Sequence, residues 1–141
     1  MNNSSEAQTQ QEQDLEFLKR MVMEGIDNNF IKEAEECGKY LAKTDKLNTT
    51  QIRRIFGHVK KIENFEEPEK FIPQLLMLKP MLAYTAKRHG SVRTLQEVLE
   101  KAIDAVTDTT IANDNRIARF RLFCAGFEAI LAYHKAKGGK D

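Results

Sequence analysis

Cysteine is scarce in this sequence, which has only Cys37 and Cys124 among 141 residues. The two lie far apart and neither forms a CxxC pair, which excludes the usual spacing of a zinc or redox site, and a chain of this length folds without disulfides. We therefore expect two reduced thiols and a cytoplasmic location. No apolar run approaches about 18 residues and no basic-then-apolar leader opens the chain, so the sequence predicts neither a membrane span nor a secretory signal.

Proline and glycine are also few, at three and seven residues, and no segment alternates apolar and polar residues as a half-buried strand would. No repeat of about 20–50 residues is evident. The length suits one domain. We expect an all-α compact bundle of about five to six helices over residues 14–137. A disordered tail at 1–13, where apolar residues are nearly absent, precedes it, and a flexible tail at 138–141 follows it.

Apolar residues at helical spacing predict where the helices lie. Two short helices fall at residues 15–26 and 30–41, separated by Asp27-Asn-Asn29. Pro80 predicts a kink near residues 76–80 of a later helix, rather than two helices, because proline removes one backbone hydrogen bond. Residues suited to helix ends predict the remaining boundaries: Thr49 or Thr50 as an N-cap, Gly90 as a left-handed stop, Ser91 as an N-cap, and Asn113 or Asp114 as the last N-cap.

The helix that should run from about residue 50 to Asn64 separates apolar from basic residues. Its apolar stripe consists of Ile52, Ile55, Phe56, Val59 and Ile62. The opposite side, which we call the basic face, carries Arg53, Arg54, Lys60 and Lys61 with Gly57 in its middle. Glycine there costs about 1 kcal/mol relative to alanine, so its bare surface favours close approach of a phosphate backbone. The alternative is a solvated polar face that happens to be basic.

The charge is unevenly distributed, although the net charge is only +1. Residues 1–48 carry 10 acidic and 6 basic side chains, and residues 49–141 carry 11 and 16. No acid occurs between Asp45 and Glu63 or between Glu69 and Glu97. Such unopposed positive charge favours a polyanionic partner.

The second acid-free stretch places Tyr84 on one helical side with Lys87 and Arg88. Two interpretations of Tyr84 are open: it stacks on a base or lies along a ribose of RNA, or it packs in the bundle with its hydroxyl at the rim. In the last helix Arg119 and Lys135 flank the apolar stripe on its two sides, where they bind phosphate or merely extend along apolar surface.

Residue patterns for catalysis, cofactor binding or metal binding are absent. The three histidines, His58, His89 and His134, belong to no HxxxH, HExxH or ExxH arrangement, and His134 suits a hydrogen-bonded core position better. Cys124 and His134 lie about 15 Å apart along one helix, which excludes a nucleophile pair. No GxxxxGK[ST] or GxGxxG loop occurs. We therefore expect no enzyme, cofactor or metal.

Three ordered segments resemble the small helical subunit of type III-A CRISPR interference (Csm) complexes. They are Thr50-Gln-Ile-Arg-Arg-Ile-Phe-Gly-His-Val-Lys-Lys-Ile62, Leu78-Lys-Pro-Met-Leu-Ala-Tyr-Thr-Ala-Lys-Arg88 and Phe123-Cys-Ala-Gly-Phe-Glu-Ala-Ile-Leu-Ala-Tyr-His-Lys135. The family pattern has a glycine where this chain has Lys87. The resemblance implies a non-catalytic subunit of an antiviral complex, present in several copies beside other Csm subunits, that lines the groove holding guide RNA paired to target RNA.

The resemblance also implies roles for individual basic residues. Those at its motif positions are Arg53, Lys61, Lys79, Arg88 and Lys135, and they are candidates for backbone contacts. With the residues singled out above, the full candidate set for nucleic-acid binding is Arg53, Arg54, Gly57, Lys60, Lys61, Lys79, Lys87, Arg88, Arg119 and Lys135. Two functions remain open at this point: an RNA-binding scaffold that ignores sequence, and a helical oligomerisation adaptor that binds only protein.

Overall fold

The helix Asn113–Ala136 is the longest in the described range; it lies at the centre of the molecule and contacts each of the other helices. The computed structural model describes residues 15–140, and within them the chain forms six α-helices, one 3-10 turn at Gly90–Val92 and no strand. In chain order the helices are α1 Phe17–Glu24, α2 Asn28–Lys43, α3 Thr49–Glu63, α4 Pro68–Arg88, α5 Arg93–Val106 and α6 Asn113–Ala136. The predicted all-α bundle of five to six helices is confirmed.

Helix α6 holds the core together through phenylalanines at three- and four-residue spacing, which share one face. Phe120, Phe123 and Phe127 are all buried. The Phe120 ring stacks on Phe71 of α4 with 4.6 Å between centroids, and the Phe127 ring meets Phe56 of α3 edge to face at 5.2 Å. Helix α6 therefore fixes the positions of α3 and α4, the two helices that carry the acid-free basic segments.

Two glycines let α6 approach α1 and α2 closely. A Cβ added at Gly38 of α2 would lie 2.6 Å from both the backbone nitrogen of His134 and the Cβ of Tyr133. A Cβ added at Gly126 of α6 would overlap the side chain of Leu18 in α1. The overlap at Gly38 involves backbone, which cannot shift without moving α6, so this position requires glycine at this helix spacing. At Gly126 the overlapping atoms are the ends of the Leu18 and Met21 side chains, which would have to shift to make room.

The first two helices largely follow the predicted pattern. Helix α1 ends at Glu24, and Gly25 follows it with a φ of +101°. Ile26 therefore lies outside the helix and is 54% exposed, so the prediction that α1 extends to Ile26 is wrong. Asp27 has an extended backbone and its carboxylate accepts a hydrogen bond of 2.8 Å from the backbone N–H of Phe30, which starts α2.

Helix α3 begins with an asparagine cap, not with the predicted Thr49 or Thr50. The backbone of Asn48 is extended, and its side-chain oxygen accepts a hydrogen bond of 2.8 Å from the N–H of Gln51. Thr49 is already helical and buried, and its N–H donates to the carbonyl oxygen of Lys140 at 2.7 Å. The cap lies one residue earlier than predicted because asparagine is a stronger N-cap residue than threonine.

Helix α4 runs without interruption through Pro73 and Pro80. This confirms the expectation of one helix across Pro80 rather than two. The bend near residues 76–80 stays a prediction.

The junction between α4 and α5 differs from the sequence prediction. Helix α4 ends at Arg88, its C-cap residue His89 has an extended backbone, and Gly90 does not adopt a positive φ. Residues 90–92 form the 3-10 turn, so Val92 precedes α5 in place of Ser91. The Ser91 hydroxyl instead donates to the side-chain oxygen of Gln51 in α3 at 3.3 Å. The serine thus connects two helices rather than capping one.

The start of α6 also lacks the predicted side-chain cap. Ala112 has the extended backbone of an N-cap residue, and Asn113 is the first helical residue. The Asn113 side-chain oxygen accepts from the Arg116 guanidinium at 3.3 Å, so it is used within the first turn. Asp114 follows in that turn, where its negative charge stabilises the positive end of the helix dipole.

The described part of the predicted C-terminal tail lies against the bundle. The N–H of Gly139 donates to the carbonyl oxygen of His134 at 2.8 Å, and Gly139 is buried. The carbonyl of Lys140 then accepts from Thr49, as described above. Residues 138–140 therefore join the end of α6 to the start of α3. The predicted tail at 1–13 lies outside the described residues.

Candidate nucleic-acid interface

Helix α3 turns its basic face outward because its apolar stripe is held in the core. The buried members of the stripe are Ile52, Ile55, Val59 and Ile62, while Phe56 is half-buried. The four cations of the basic face, Arg53, Arg54, Lys60 and Lys61, are all exposed. The separation of apolar and basic residues that the sequence predicted for this helix is therefore confirmed.

Gly57 leaves a bare area in the middle of the basic face. Apart from the adjacent backbone of α3 itself, no heavy atom of the described residues lies within 4 Å of where its Cβ would be, in contrast to Gly38 and Gly126. Packing against another helix therefore does not explain this glycine. An open helix surface between flexible cations allows a polyanion backbone to approach the helix closely.

Three of the four cations on the basic face are free to bind an external anion. In the stretch from Leu15 to Lys140, no acidic side chain pairs with Arg53, Arg54 or Lys61. Unpaired cations on one helix side repel one another weakly and attract polyanions, which makes these three residues candidates for phosphate binding.

Lys60 differs from its neighbours because Glu63 lies next to it. Its ammonium nitrogen is 2.6 Å from the Glu63 carboxylate and 5.9 Å from the centre of the Phe56 ring. The hydrogen bond to Glu63 raises the pKa of the lysine, and the negative charges of Glu63 and Glu128 act in the same direction. Lys60 therefore stays charged, but these acids reduce its contribution to the positive field. Glu128 is exposed.

The C-terminal end of α4 extends the positive surface of α3. Arg54 of α3 and Arg88 of α4 line one groove, which we call the α3–α4 groove. None of the described residues that line it is acidic; they are Asn48, Thr50, Gln51, Arg54, Ile55, Met81, Tyr84, Thr85, Arg88 and His89. The packing of α4 on α3 thus brings together two arginines that lie 34 positions apart in the sequence.

Tyr84 stands on the outer side of α4 at this groove. Its side chain is 64% exposed, so the interpretation that the ring packs in the bundle with only its hydroxyl at the rim is wrong. The Arg88 guanidinium lies 5.8 Å from the centre of the Tyr84 ring, one helical turn further along. An exposed ring beside a cation is a surface on which planar ligands stack.

Two predicted candidates serve the fold instead of the basic surface. The ammonium of Lys79 lies 2.7 Å from the carboxylate of Asp104 in α5, and this hydrogen bond raises the pKa of the lysine. The guanidinium of Arg119 donates to the carbonyl oxygen of Ala105 at 2.8 Å, near the end of α5. Because these partners neutralise or occupy the two side chains, the structure does not bring them to the α3–α4 surface.

The remaining two candidates are exposed. Lys87 is adjacent to Arg88 at the end of α4, while Lys135 lies in the last turn of α6. Neither lines the α3–α4 groove. Lys87 continues the positive surface beyond the groove, and Lys135 lies near the end of the molecule where α6 meets the loop before α3.

The three histidines occupy different environments. His134 is fully buried and its Nε2 lies 2.5 Å from the carbonyl oxygen of Leu47, so it occupies a core position, and its Nδ1 has no hydrogen-bond partner among the described residues. His58 and His89 are exposed. Between residues 15 and 140 no three histidine, cysteine or acidic side chains are grouped as metal ligands. Burial, and secondarily Glu63, raises the pKa of the Cys124 thiol well above its usual value.

Sequence reasoning gave no nucleic-acid-binding role to five polar residues that line the α3–α4 groove, which are Asn48, Thr50, Gln51, Thr85 and His89. Gln51 points the oxygen of its amide toward Ser91, while His89 is exposed at the end of α4. The sequence predicts where Gln51 lies on α3, one helical turn before Ile55. It does not predict which residues of α4 lie next to Gln51, because that depends on how the two helices pack.

None of the helices found between residues 15 and 140 is both long and apolar enough to cross a lipid bilayer.

Known proteins match most of this chain. The family model described as Csm2 Type III-A matches residues 24–140, which include α2 to α6, the basic face and the α3–α4 groove. A relative from Streptococcus thermophilus, the "CRISPR system Cms protein Csm2", is 30% identical over 122 residues, which cover 82% of this chain and 96% of the relative. No solved structure matches the chain.

Proposed function

The chain belongs to the Csm2 type III-A family and is thus a subunit of a type III-A CRISPR complex, and from this premise we propose that it binds RNA within that complex. Its role is non-catalytic: it stabilises the pairing of guide RNA with target RNA through contacts to the sugar–phosphate backbone. The proposed partners are both RNA strands, other Csm subunits and further copies of the same chain. The proposed setting is antiviral defence in the cytoplasm.

The observation that carries this proposal is the composition of the basic face. Arg53, Arg54 and Lys61 project from one side of α3 without acidic partners in the described range, around the open surface at Gly57. Phosphates repeat along an RNA strand at a spacing that several flexible cations can follow at once. A smooth basic helix surface therefore suits a nucleic-acid backbone better than it suits a small anion.

The proposed binding is independent of base sequence. Arginine and lysine on a helix surface contact phosphate oxygens, which are the same for every base, and A-form duplexes hide most base edges in a deep and narrow groove. In this proposal the guide strand reads the target by base pairing. The protein contributes shape recognition and charge neutralisation.

The test is a titration of labelled RNA duplexes of two unrelated sequences with the full chain, by fluorescence anisotropy, between about 50 and 300 mM salt. If Arg53, Arg54, Lys61 and Arg88 neutralise about four phosphates, log Kd should change with log salt at a slope of magnitude about 3 to 4. The two sequences should give the same affinity. An affinity that ignores salt would contradict the proposal.

A second candidate function is that of a helical adaptor that binds only protein. The observation in its favour is a pair of adjacent exposed apolar residues on α4, where Met77 is 68% exposed and Leu76 is 42% exposed. Surface patches of this kind mark protein–protein contacts when they are contiguous. An adaptor would assemble with the other Csm subunits when Met77 is intact and lose assembly in Met77→Ser, while charge changes on α3 would have no effect.

A further inference from the structure

Tyr84 is the most exposed tyrosine or phenylalanine side chain in the described part of the chain. Its exposed fraction is 64%, compared with 39% for Tyr40 and 37% for Phe65. Exposing a large ring to water gives up the free energy that burial would provide, and nothing on the buried side of α4 requires this ring. The buried residues of α4 are Phe71, Leu75, Leu78, Leu82 and Ala86.

The surroundings of Tyr84 are those of a nucleotide site rather than of a protein contact. Arg88 lies 5.8 Å from the ring centre, and Arg54 lines the same groove from α3. No acid is among the described residues that line the groove, so neither guanidinium is neutralised there. The groove therefore combines an aromatic surface, two cations and the polar side chains of Gln51 and His89. A nucleotide has the matching parts: a planar base, a phosphate, and donors and acceptors between them.

Geometry indicates whether the nucleotide that Tyr84 contacts is paired or unpaired. A base within a duplex is stacked on both sides by its neighbours and cannot reach a ring on the protein surface. An unpaired base exposes its face, and stacking on an aromatic side chain then contributes regardless of which base it is. Within a duplex, Tyr84 can therefore stack on a base only where that base has left the pairing.

We propose that the α3–α4 groove binds one unpaired RNA nucleotide, whose base stacks on Tyr84 and whose phosphate lies between Arg54 and Arg88. This inference rests on the proposed RNA-binding function and specifies which part of the RNA the α3–α4 groove binds. The basic face holds paired backbone, and the groove holds the position where pairing is interrupted. The protein thus distinguishes interrupted from continuous duplex without reading base identity.

The test compares two RNA duplexes of equal length with the full chain. One is fully paired, and the other has a single unpaired nucleotide carried as 2-aminopurine, whose fluorescence falls when it stacks. The wild-type protein should bind the interrupted duplex at least about fivefold more tightly and quench the probe. Tyr84→Leu should lose both the preference and the quenching and keep the affinity for the fully paired duplex. Tyr84→Phe should retain both, because it keeps the ring.

Tyr40→Leu is the matched control, because Tyr40 is an exposed tyrosine on α2 that does not line the groove; it should behave as wild type. Equal binding of both duplexes by wild type and Tyr84→Leu would overturn the inference, while salt-dependent binding in the same titrations would leave the proposed function intact. Absence of salt-dependent binding to either duplex would overturn both. If the Tyr84→Leu variant no longer binds another Csm subunit but still prefers the interrupted duplex and still quenches the probe, Tyr84 belongs to a protein contact instead.

Discussion

The ammonium nitrogen of Lys79 lies 2.7 Å from a carboxylate oxygen of Asp104, and this pair ties α4 to α5. Lys61 has the same side chain but faces solvent on α3 with no acidic partner in the described range. Both match basic positions of the family motifs. Because only one of the two is already neutralised, the structure separates a fold contact from a candidate RNA contact.

Neutral substitutions should separate these two lysines. Lys61→Gln should weaken RNA binding at every sequence and reduce the magnitude of the salt slope by about 1, because one phosphate contact is lost. Lys79→Gln should leave the slope unchanged and lower the free energy of unfolding by less than about 1 kcal/mol, which is typical of an exposed pair. Anisotropy titrations and denaturant melts measure these effects. Equal losses of RNA affinity in both variants would contradict the assignment.

The sequence was sufficient to predict most helices and one face of the site. Apolar residues recur every three or four positions in α3 and α6, and that period alone tells which side is buried. Helix ends were harder to predict. Asn48 caps α3 one residue before the predicted threonine, and the Thr49 N–H donates to the carbonyl of Lys140, a partner 91 positions away that no local pattern shows.

The rest of the candidate site depends on packing between helices. Arg54 and Arg88 share a groove because α4 lies on α3, and Lys79 leaves the basic surface because Asp104 faces it from α5. These relations involve residues 25 or more positions apart. A single sequence gives the charge of each residue but not the charge that faces it.

Substitutions of Gly57 should change stability and RNA binding independently. Gly57→Lys and Gly57→Glu both replace a helix-interior glycine where no atom lies within 4 Å, so each should raise the free energy of unfolding by about 0.5–1 kcal/mol. Gly57→Glu should weaken RNA binding because it puts a negative charge among Arg53 and Lys61. Gly57→Lys has similar bulk and should retain binding. Loss of folding in either variant would show that this surface is packed.

Gly38→Ala and Gly57→Ala should change stability in opposite directions. The added Cβ at Gly38 meets backbone of α6 at 2.6 Å, and backbone cannot move aside as a flexible side chain can. We expect a loss of about 1–3 kcal/mol for Gly38→Ala and a gain of up to about 1 kcal/mol for Gly57→Ala. Thermal melts of the two variants beside wild type measure the contrast. A stabilised Gly38→Ala protein would mean that α2 and α6 are farther apart.

Asp45, in the loop between α2 and α3, should make stability depend on pH. Burial raises the pKa of its carboxyl, a hydrogen bond from Thr94 opposes the shift, and its Oδ2 is buried without a partner. A raised folded pKa means that the folded protein holds the proton more tightly, so the wild type loses stability as pH rises from about 4, the usual aspartate value, through the raised value. Asp45→Asn does not titrate. The melting temperature of wild type should therefore fall relative to Asp45→Asn over this range and stay parallel to it above. A constant difference in melting temperature between the two proteins at all pH values would contradict the raised pKa of Asp45.

Charge reversal of the basic face should affect the assembled complex more than the isolated chain. Arg53→Glu with Lys61→Glu leaves the buried stripe from Ile52 to Ile62 untouched, so the variant should fold with normal helicity. If several copies bind along one guide–target duplex, the same loss recurs at each copy, and linked losses multiply rather than average. A reconstituted complex should then lose target-RNA binding even where the single chain shows a modest change. Lys32→Glu with Lys39→Glu on α2 reverses the same amount of charge on two exposed lysines elsewhere, and it should retain binding. Target binding at the wild-type level by a complex shown to contain the Arg53 and Lys61 variant would leave the adaptor function as the better explanation, because the basic face would then contribute nothing to the RNA groove.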